Sequence, residues 1–231
     1  MRKRLEHILP IYSWIPLLVV ICANFLTYYA TRPITHGFKH YDFSLPVDAE
    51  IPFIPAFSVI YLLAYVQWIL CFILIARENR DYCCKTFSGE IISKLICMTL
   101  FILIPTTMVR ANITSNDFFS DLTGLIYRAD TPDNLFPSIH CLESWLCFRT
   151  SLEMKKTGKW YIYTNLIFSV LVFASTVFVR QHVVLDIIAG ILVCEIGQLI
   201  AKWSKSARIF IKAEAILKRK PDSETSNEKT G

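Results

Sequence analysis

Arg180-Gln181-His182-Val183-Val184-Leu185-Asp186 lies between two long apolar segments, 160–179 and 183–203. A helix of about 20 apolar residues is what crossing roughly 30 Å of hydrocarbon requires. His182 and Asp186 are four residues apart, so a helix starting at this junction sets both side chains on one face. A carboxylate beside an imidazole holds its tautomer and raises its basicity. Ionisable groups at the edge of hydrocarbon are costly and are therefore read first as functional. The heptapeptide predicts a membrane-spanning fold with a reactive histidine where two spans meet.

The rest of the chain fits that frame. Its 231 residues are 54% hydrophobic and 19% charged, with a mean hydropathy of +0.43, too apolar for an ordinary soluble domain. The expected fold class is all-α, a polytopic membrane protein with six transmembrane helices in a bundle. The spans are predicted at 11–30 (a retained helix rather than a cleaved signal), 57–76, 89–109, 136–151, 160–179 and 183–203. Lys94 is expected to snorkel near the start of the third, and Pro105 to kink its far end. Pro33, Pro46, Pro52 and Pro55 argue against a long helix between the first two spans. Residues 77–88 read as a short polar loop, and 110–135 as irregular chain around one short apolar helical stretch. The domain plan is a basic N-terminus over 1–10, the membrane domain over 11–203, and a basic amphipathic segment with a disordered tail over 204–231. That last segment suits an anionic lipid surface.

Charge orients the bundle. Arg32, Lys39, Arg110, Arg128 and Arg180 fall on one side; the rest of the 24 lysines and arginines fall on the side of both termini. The positive-inside rule makes the termini cytoplasmic, in a multi-pass protein of the cell membrane. The net charge of +5 is spread between spans rather than over one face, so nucleic acid is not an expected partner. Six of the eight cysteines sit in apolar segments, and Cys83 and Cys84 in the short loop, which implies neither a disulfide framework nor a metal site.

This topology brings Arg110, Ser138, His140, Arg180, His182 and Asp186 to the extracytoplasmic ends of helices 3–6. Such a group suits attack on phosphorus. His182 is the candidate nucleophile, Asp186 its partner and His140 the acid for the leaving oxygen. Arg110, Arg180 and Ser138, with the free amides of a helix start near Asn134 to Pro137, are the candidate phosphate binders. With that much positive charge, neither metal nor cofactor is expected. Each residue also has a plainer reading: His140 as a structural histidine, Arg110, Arg128 and Arg180 as interfacial anchors, Asp186 as a helix cap. Glu143, one turn below His140, is either a pocket residue or paired within the bundle.

Phe136-Pro137-Ser138-Ile139-His140, followed by His182-x-x-x-Asp186 and Ile187-Ile188-Ala189-Gly190, resembles the membrane type-2 phosphatidic acid phosphatase superfamily. Asp48-x-x-Ile51-Pro52-Phe53-Ile54-Pro55, Pro105-Thr106 and Arg128-x-Asp130-x-Pro132-x-Asn134 resemble its inositol phosphorylceramide synthase-like branch. The resemblance implies a lipid phosphatase or phosphotransferase, a phosphohistidine at His182, His140 as acid, a six-helix bundle and no metal. The chain departs from the wider pattern at three places. Leu103 and Ala111 replace the lysine and proline around Arg110, Ile139 replaces a glycine, and Thr176 replaces the arginine of a Ser-Arg pair. Arg180 is the expected substitute for that arginine. A non-catalytic lipid-binding or scaffold member of the same fold is the alternative, and a transporter a weaker one.

Overall fold

A computed structural model describes residues 9–218. The basic start Met1 to Arg4 and the expected disordered tail 221–231 lie outside them. The helices are α1 (Ile11–Thr35), α2 (Pro46–Glu50), α3 (Pro55–Glu78), α4 (Arg80–Leu103), α5 (Phe118–Ala129), α6 (Ile139–Ser151), α7 (Lys159–Phe178), α8 (Val184–Trp203) and α9 (Ala207–Lys218). Five of them, α1, α3, α4, α7 and α8, are long and apolar enough to cross a membrane.

The expected fourth span, 136–151, is present as the helix α6, shorter than the five long ones. α6 has only 13 residues, about 20 Å of helix. Pro137 has no amide to give, and Ser138 caps the helix by accepting from the Cys141 amide at 3.3 Å, so the chain before Ile139 runs extended. α6 is buried over most of its surface, from His140 through Leu142, Glu143 and Leu146 to Thr150, because α3, α7 and α8 pack around it, with the Trp145, Phe148 and Arg149 face half-buried. Cys97 and Phe101 of α4, Leu142 and Leu146 of α6, and Val193 and Cys194 of α8 form the cluster that fixes its depth.

Other boundaries moved for identifiable reasons. α1 continues past Ala30 through Pro33, and a wider π turn over Leu26–Ala30 accommodates the amide that Pro33 lacks. Residues 77–88 are helical, not a loop. Asn79 alone separates α3 from α4 and caps the latter, its Oδ1 accepting from the Tyr82 amide at 2.9 Å. Cys83 and Cys84 are therefore buried helix residues. Pro105 lies beyond the end of α4 and kinks nothing. Lys94 does not snorkel. It lies about four turns into α4, and its Nζ sits 3.1 Å from Glu90 Oε1 and 2.7 Å from Glu143 Oε1, all three side chains out of contact with solvent. The expectation of pure helix also misses a small feature. Tyr41–Asp42 (β1) pairs in parallel with Thr106–Thr107 (β2) and ties the loop after α1 to the chain after α4.

One end of the bundle gathers the ends of α1, α4 and α7 with the starts of α3, α6 and α8. The Ile54 amide donates to the Phe178 carbonyl at 2.9 Å. Thr106 Oγ1 accepts from the Leu135 and Phe136 amides at 3.0 and 2.9 Å. Arg32 Nη2 meets Asp130 at 2.9 Å. At the opposite end α9 packs on α1 and α4, and Arg80 pairs with Glu214.

Candidate active site

The site is built where α7 hands over to α8. After Phe178 the chain reverses, and the Gln181 and His182 amides both donate to the Thr176 carbonyl, at 2.9 and 3.1 Å. The reversal puts Arg180 in the left-handed region, φ 53, which a non-glycine residue adopts only when its surroundings hold it there. They do. Arg180 Nη1 donates to the Asp48 carbonyl at 2.6 Å and Nη2 to the Ile51 carbonyl. Asp48 completes the clamp: Oδ1 accepts from the Val184 amide at 2.8 Å, and Oδ2 from the Leu45 amide at 2.7 Å.

Asp186, in the first turn of α8, accepts from the Val183 amide and faces His182 Nδ1, both at 3.1 Å from the same Oδ2. Capping and pairing are thus one interaction, and the two readings of Asp186 do not compete. An ionised carboxylate can only accept, so Nδ1 carries the hydrogen and the lone pair of His182 is on Nε2.

His140 arrives from the first turn of α6. Its ring centroid is 6.3 Å from that of His182. The two helices can approach because residue 190 is glycine, where a Cβ would stand 2.5 Å from the Ser138 carbonyl oxygen. The Ser138 amide donates to the Asp186 carbonyl at 3.1 Å and locks the crossing. Tyr61 of α3 stacks on His140 at 4.0 Å between ring centroids, with its hydroxyl 3.3 Å from Nδ1, and the rings of Trp68 and Tyr65 stand edgewise at 5.0 and 5.4 Å.

Arg110 enters from the segment before α5. Its Nη2 donates to Gln181 Oε1 at 2.6 Å and Nη1 to the Tyr127 carbonyl at 3.0 Å, with the guanidinium 4.5 Å above the Tyr127 ring. Three buried nitrogens here, Arg110 Nε, Gln181 Nε2 and His140 Nε2, and one carboxylate oxygen, Asp186 Oδ1, have no hydrogen-bond partner among the described residues. Buried donors normally find acceptors, so a group of donors without them fits an anionic ligand.

The structure thus brings His182, Asp186, His140, Ser138 and, through Gln181, Arg110 together. Ser138 is fully buried, its hydroxyl engaged as the α6 cap. Arg180 stands apart, two of its nitrogens taken up by carbonyls. Glu143 faces Lys94 instead. Asp130 and Asn134 shape the surrounding loop, Asn134 Nδ2 donating to Thr31 Oγ1 at 2.9 Å. Burial pushes Asp130 up to about 7, with Asp133 adding repulsion and His182 acting in the opposite sense. Arg32, 2.9 Å from Asp130 and 2.8 Å from Asp133, pulls the same way as His182. Sequence reasoning missed Tyr61, Gln181 and the clamp made by Asp48. Asp48 and Gln181 lay inside stretches already singled out. Tyr61 is one aromatic among many in an apolar span, and nothing in the sequence sets it apart.

A family model described as the PAP2 superfamily matches residues 35–200, well over half of the chain. The chain belongs to the PAP2 superfamily. A search of the curated proteins and a search of the solved structures each found no match. The PAP2 range runs from the last residue of α1 into α8 and takes in every residue of the site. The superfamily generally comprises phosphatases and phosphotransferases. Membership together with five long apolar helices makes this PAP2 protein a membrane protein.

Proposed function

We propose that this PAP2 protein is a lipid phosphatase or lipid phosphotransferase working through a phosphohistidine on His182. His182 Nε2 attacks phosphorus, and the bond from phosphorus to the leaving oxygen breaks, its electron pair staying on that oxygen. His140, as imidazolium, gives its Nε2 proton to the leaving oxygen and then accepts one at the same nitrogen from the water or alcohol that attacks the phosphohistidine. Asp186 balances the charge that develops on His182. Arg110, Gln181 and the first amides of α6, at Ile139 and His140, receive the phosphoryl oxygens, so the reading requires no metal. Arg180 acts by placing His182 rather than by touching phosphate.

The observation that carries this reading is the pairing of His182 with Asp186 at 3.1 Å beside His140 and three buried donors without acceptors. In the proposed arrangement α6 is a short fourth span, both termini are cytoplasmic and the site opens to the extracytoplasmic side of the cell membrane, as the lysine and arginine bias indicates. α9, with Arg208 and Lys212 beside exposed Ile209 and Ile216, rests on anionic lipid. Product analysis with the purified full chain tests the activity, using phosphatidic acid, a polyprenyl diphosphate, and phospholipid with ceramide. Phosphate release without an alcohol acceptor identifies the hydrolase, headgroup transfer to ceramide the synthase-like branch. Turnover of none of the three contradicts the reading and favours the scaffold alternative.

A further inference from the structure

Tyr61 gives the proposed acid a partner of its own, and the direction of that hydrogen bond follows from satisfiability. Tyr61 is 2% exposed, and among the described residues the one hydrogen-bond partner of its hydroxyl is His140 Nδ1 at 3.3 Å. A buried O–H needs an acceptor. If His140 Nδ1 carried the hydrogen, it would donate to the phenol oxygen and leave the phenol proton without one. The phenol therefore donates to Nδ1, and neutral His140 keeps its hydrogen on Nε2, which has no partner among the described residues. An oxygen of the proposed phosphate substrate is the acceptor for that hydrogen, whereas an enclosed phenol proton would have none. His182 is the mirror case: its Nδ1 donates to Asp186, so its Nε2 is bare. Two histidines whose rings lie 6.3 Å apart use the same ring nitrogen for support and end in opposite tautomers.

We propose that Tyr61 is the positioning residue that presents His140 as a donor at Nε2 before phosphorus is transferred, and so divides the two histidines into nucleophile and acid. This deepens the phosphotransfer reading and rests on it. The hydroxyl rotates: toward neutral imidazole it donates, toward imidazolium it accepts from Nδ1–H, and before transfer Nε2 carries a hydrogen in both states. When the bond to the leaving oxygen breaks, the Nε2 proton of the imidazolium moves to that oxygen. His140 is then neutral with its hydrogen on Nδ1, donated to the Tyr61 oxygen, and its bare Nε2 takes the proton of the attacking water or alcohol. The stacked phenol ring and the edges of Trp68 and Tyr65 hold the imidazole plane, so loss of the hydroxyl alone leaves the ring in place but its tautomer free.

The leaving group provides the test. An alkyl phosphate leaves as a strongly basic alkoxide and needs the acid, whereas p-nitrophenolate leaves without help. Tyr61→Phe in the purified full chain is expected to lose on the order of tenfold or more in kcat toward short-chain phosphatidic acid, and to change little toward p-nitrophenyl phosphate. His140→Ala should show the same split, larger. Equal losses on both esters, or none, overturn the role of Tyr61. A second measurement is independent of turnover. Nitrogen NMR of histidine-labelled protein should show neutral His140 protonated at Nε2 and neutral His182 at Nδ1, with only the His140 signals altered in Tyr61→Phe. A His140 hydrogen on Nδ1 contradicts the proposal even if the enzyme is active. If instead the tautomers are as stated but His182→Ala turns over both esters, the phosphohistidine reading fails and the role of Tyr61 as a tautomer-setting residue stands.

Discussion

Arg180 and Asp48 are 132 residues apart in sequence, and Arg180 Nη1 donates to the Asp48 carbonyl at 2.6 Å. With the second bond to Ile51 and the Asp48 carboxylate on the Val184 amide, the short helix α2 holds the turn that carries His182. Arg180→Ala removes two charged hydrogen bonds and is expected to cost about 2–4 kcal/mol of stability. Activity should fall at least tenfold with it. Thermal unfolding and kinetics on the same preparation check this. A large loss of activity with unchanged stability points instead to direct phosphate binding by Arg180.

Gly190 sets the distance between α6 and α8. An added Cβ meets the Ser138 carbonyl at 2.5 Å and the Leu142 amide at 3.2 Å, both backbone atoms that cannot turn aside. Gly190→Ala should push His140 away from His182 and reduce kcat by about a hundredfold, since misplacement by an ångström is that costly. Stability should fall by roughly 1–3 kcal/mol from overpacking. Steady-state kinetics beside a thermal melt decide it. Full activity means that the two histidines need not be held so closely.

The spans beside the motif were legible in the sequence because length and hydropathy suffice for helices of 20 residues or more. α6 was legible too, expected at 136–151 and observed at 139–151; its start moved because Pro137 and the Ser138 cap keep the chain before Ile139 extended. The His182–Asp186 pair was legible from spacing alone. Tyr61 on His140, Gln181 on Arg110 and the clamp by Asp48 were not, since each joins elements far apart in sequence and depends on how the helices pack. Lys94 was misjudged for the same reason: its partners are one turn away and on another helix.

Lys94 stands between Glu90 and Glu143 with no exposure to solvent. Removing the ammonium leaves two carboxylates buried together, so Lys94→Met is expected to destabilise by about 3–5 kcal/mol. Adding Glu90→Gln and Glu143→Gln to that variant should recover most of the loss, because neutral amides have little charge to desolvate. Melting temperatures of the single and triple variants in detergent provide the comparison. Equal melting of Lys94→Met and the parent shows that the ammonium does not hold the cluster.

Asp130 supplies a pH test. Its carboxyl is raised from an ordinary 3.8 to about 7 in the fold. A raised acid binds its proton in the folded state while the unfolded state has released it. Its contribution to stability is therefore full below about pH 4 and is lost as pH rises through about 7. The difference in melting temperature between the parent and Asp130→Asn should shift against the parent across that window and level off above it. A flat difference shows that Arg32 keeps Asp130 ionised throughout.

The central claim is a covalent one, that phosphorus passes through His182. Purified protein mixed with phosphatidic acid labelled at phosphorus and quenched in alkali should carry label in a form stable to base and released by acid, as phosphohistidine is. His182→Ala should carry none and should not turn over, while His182 with Asp186→Asn should label slowly. Turnover by the parent with no trapped label, together with an active His182→Ala, contradicts the account.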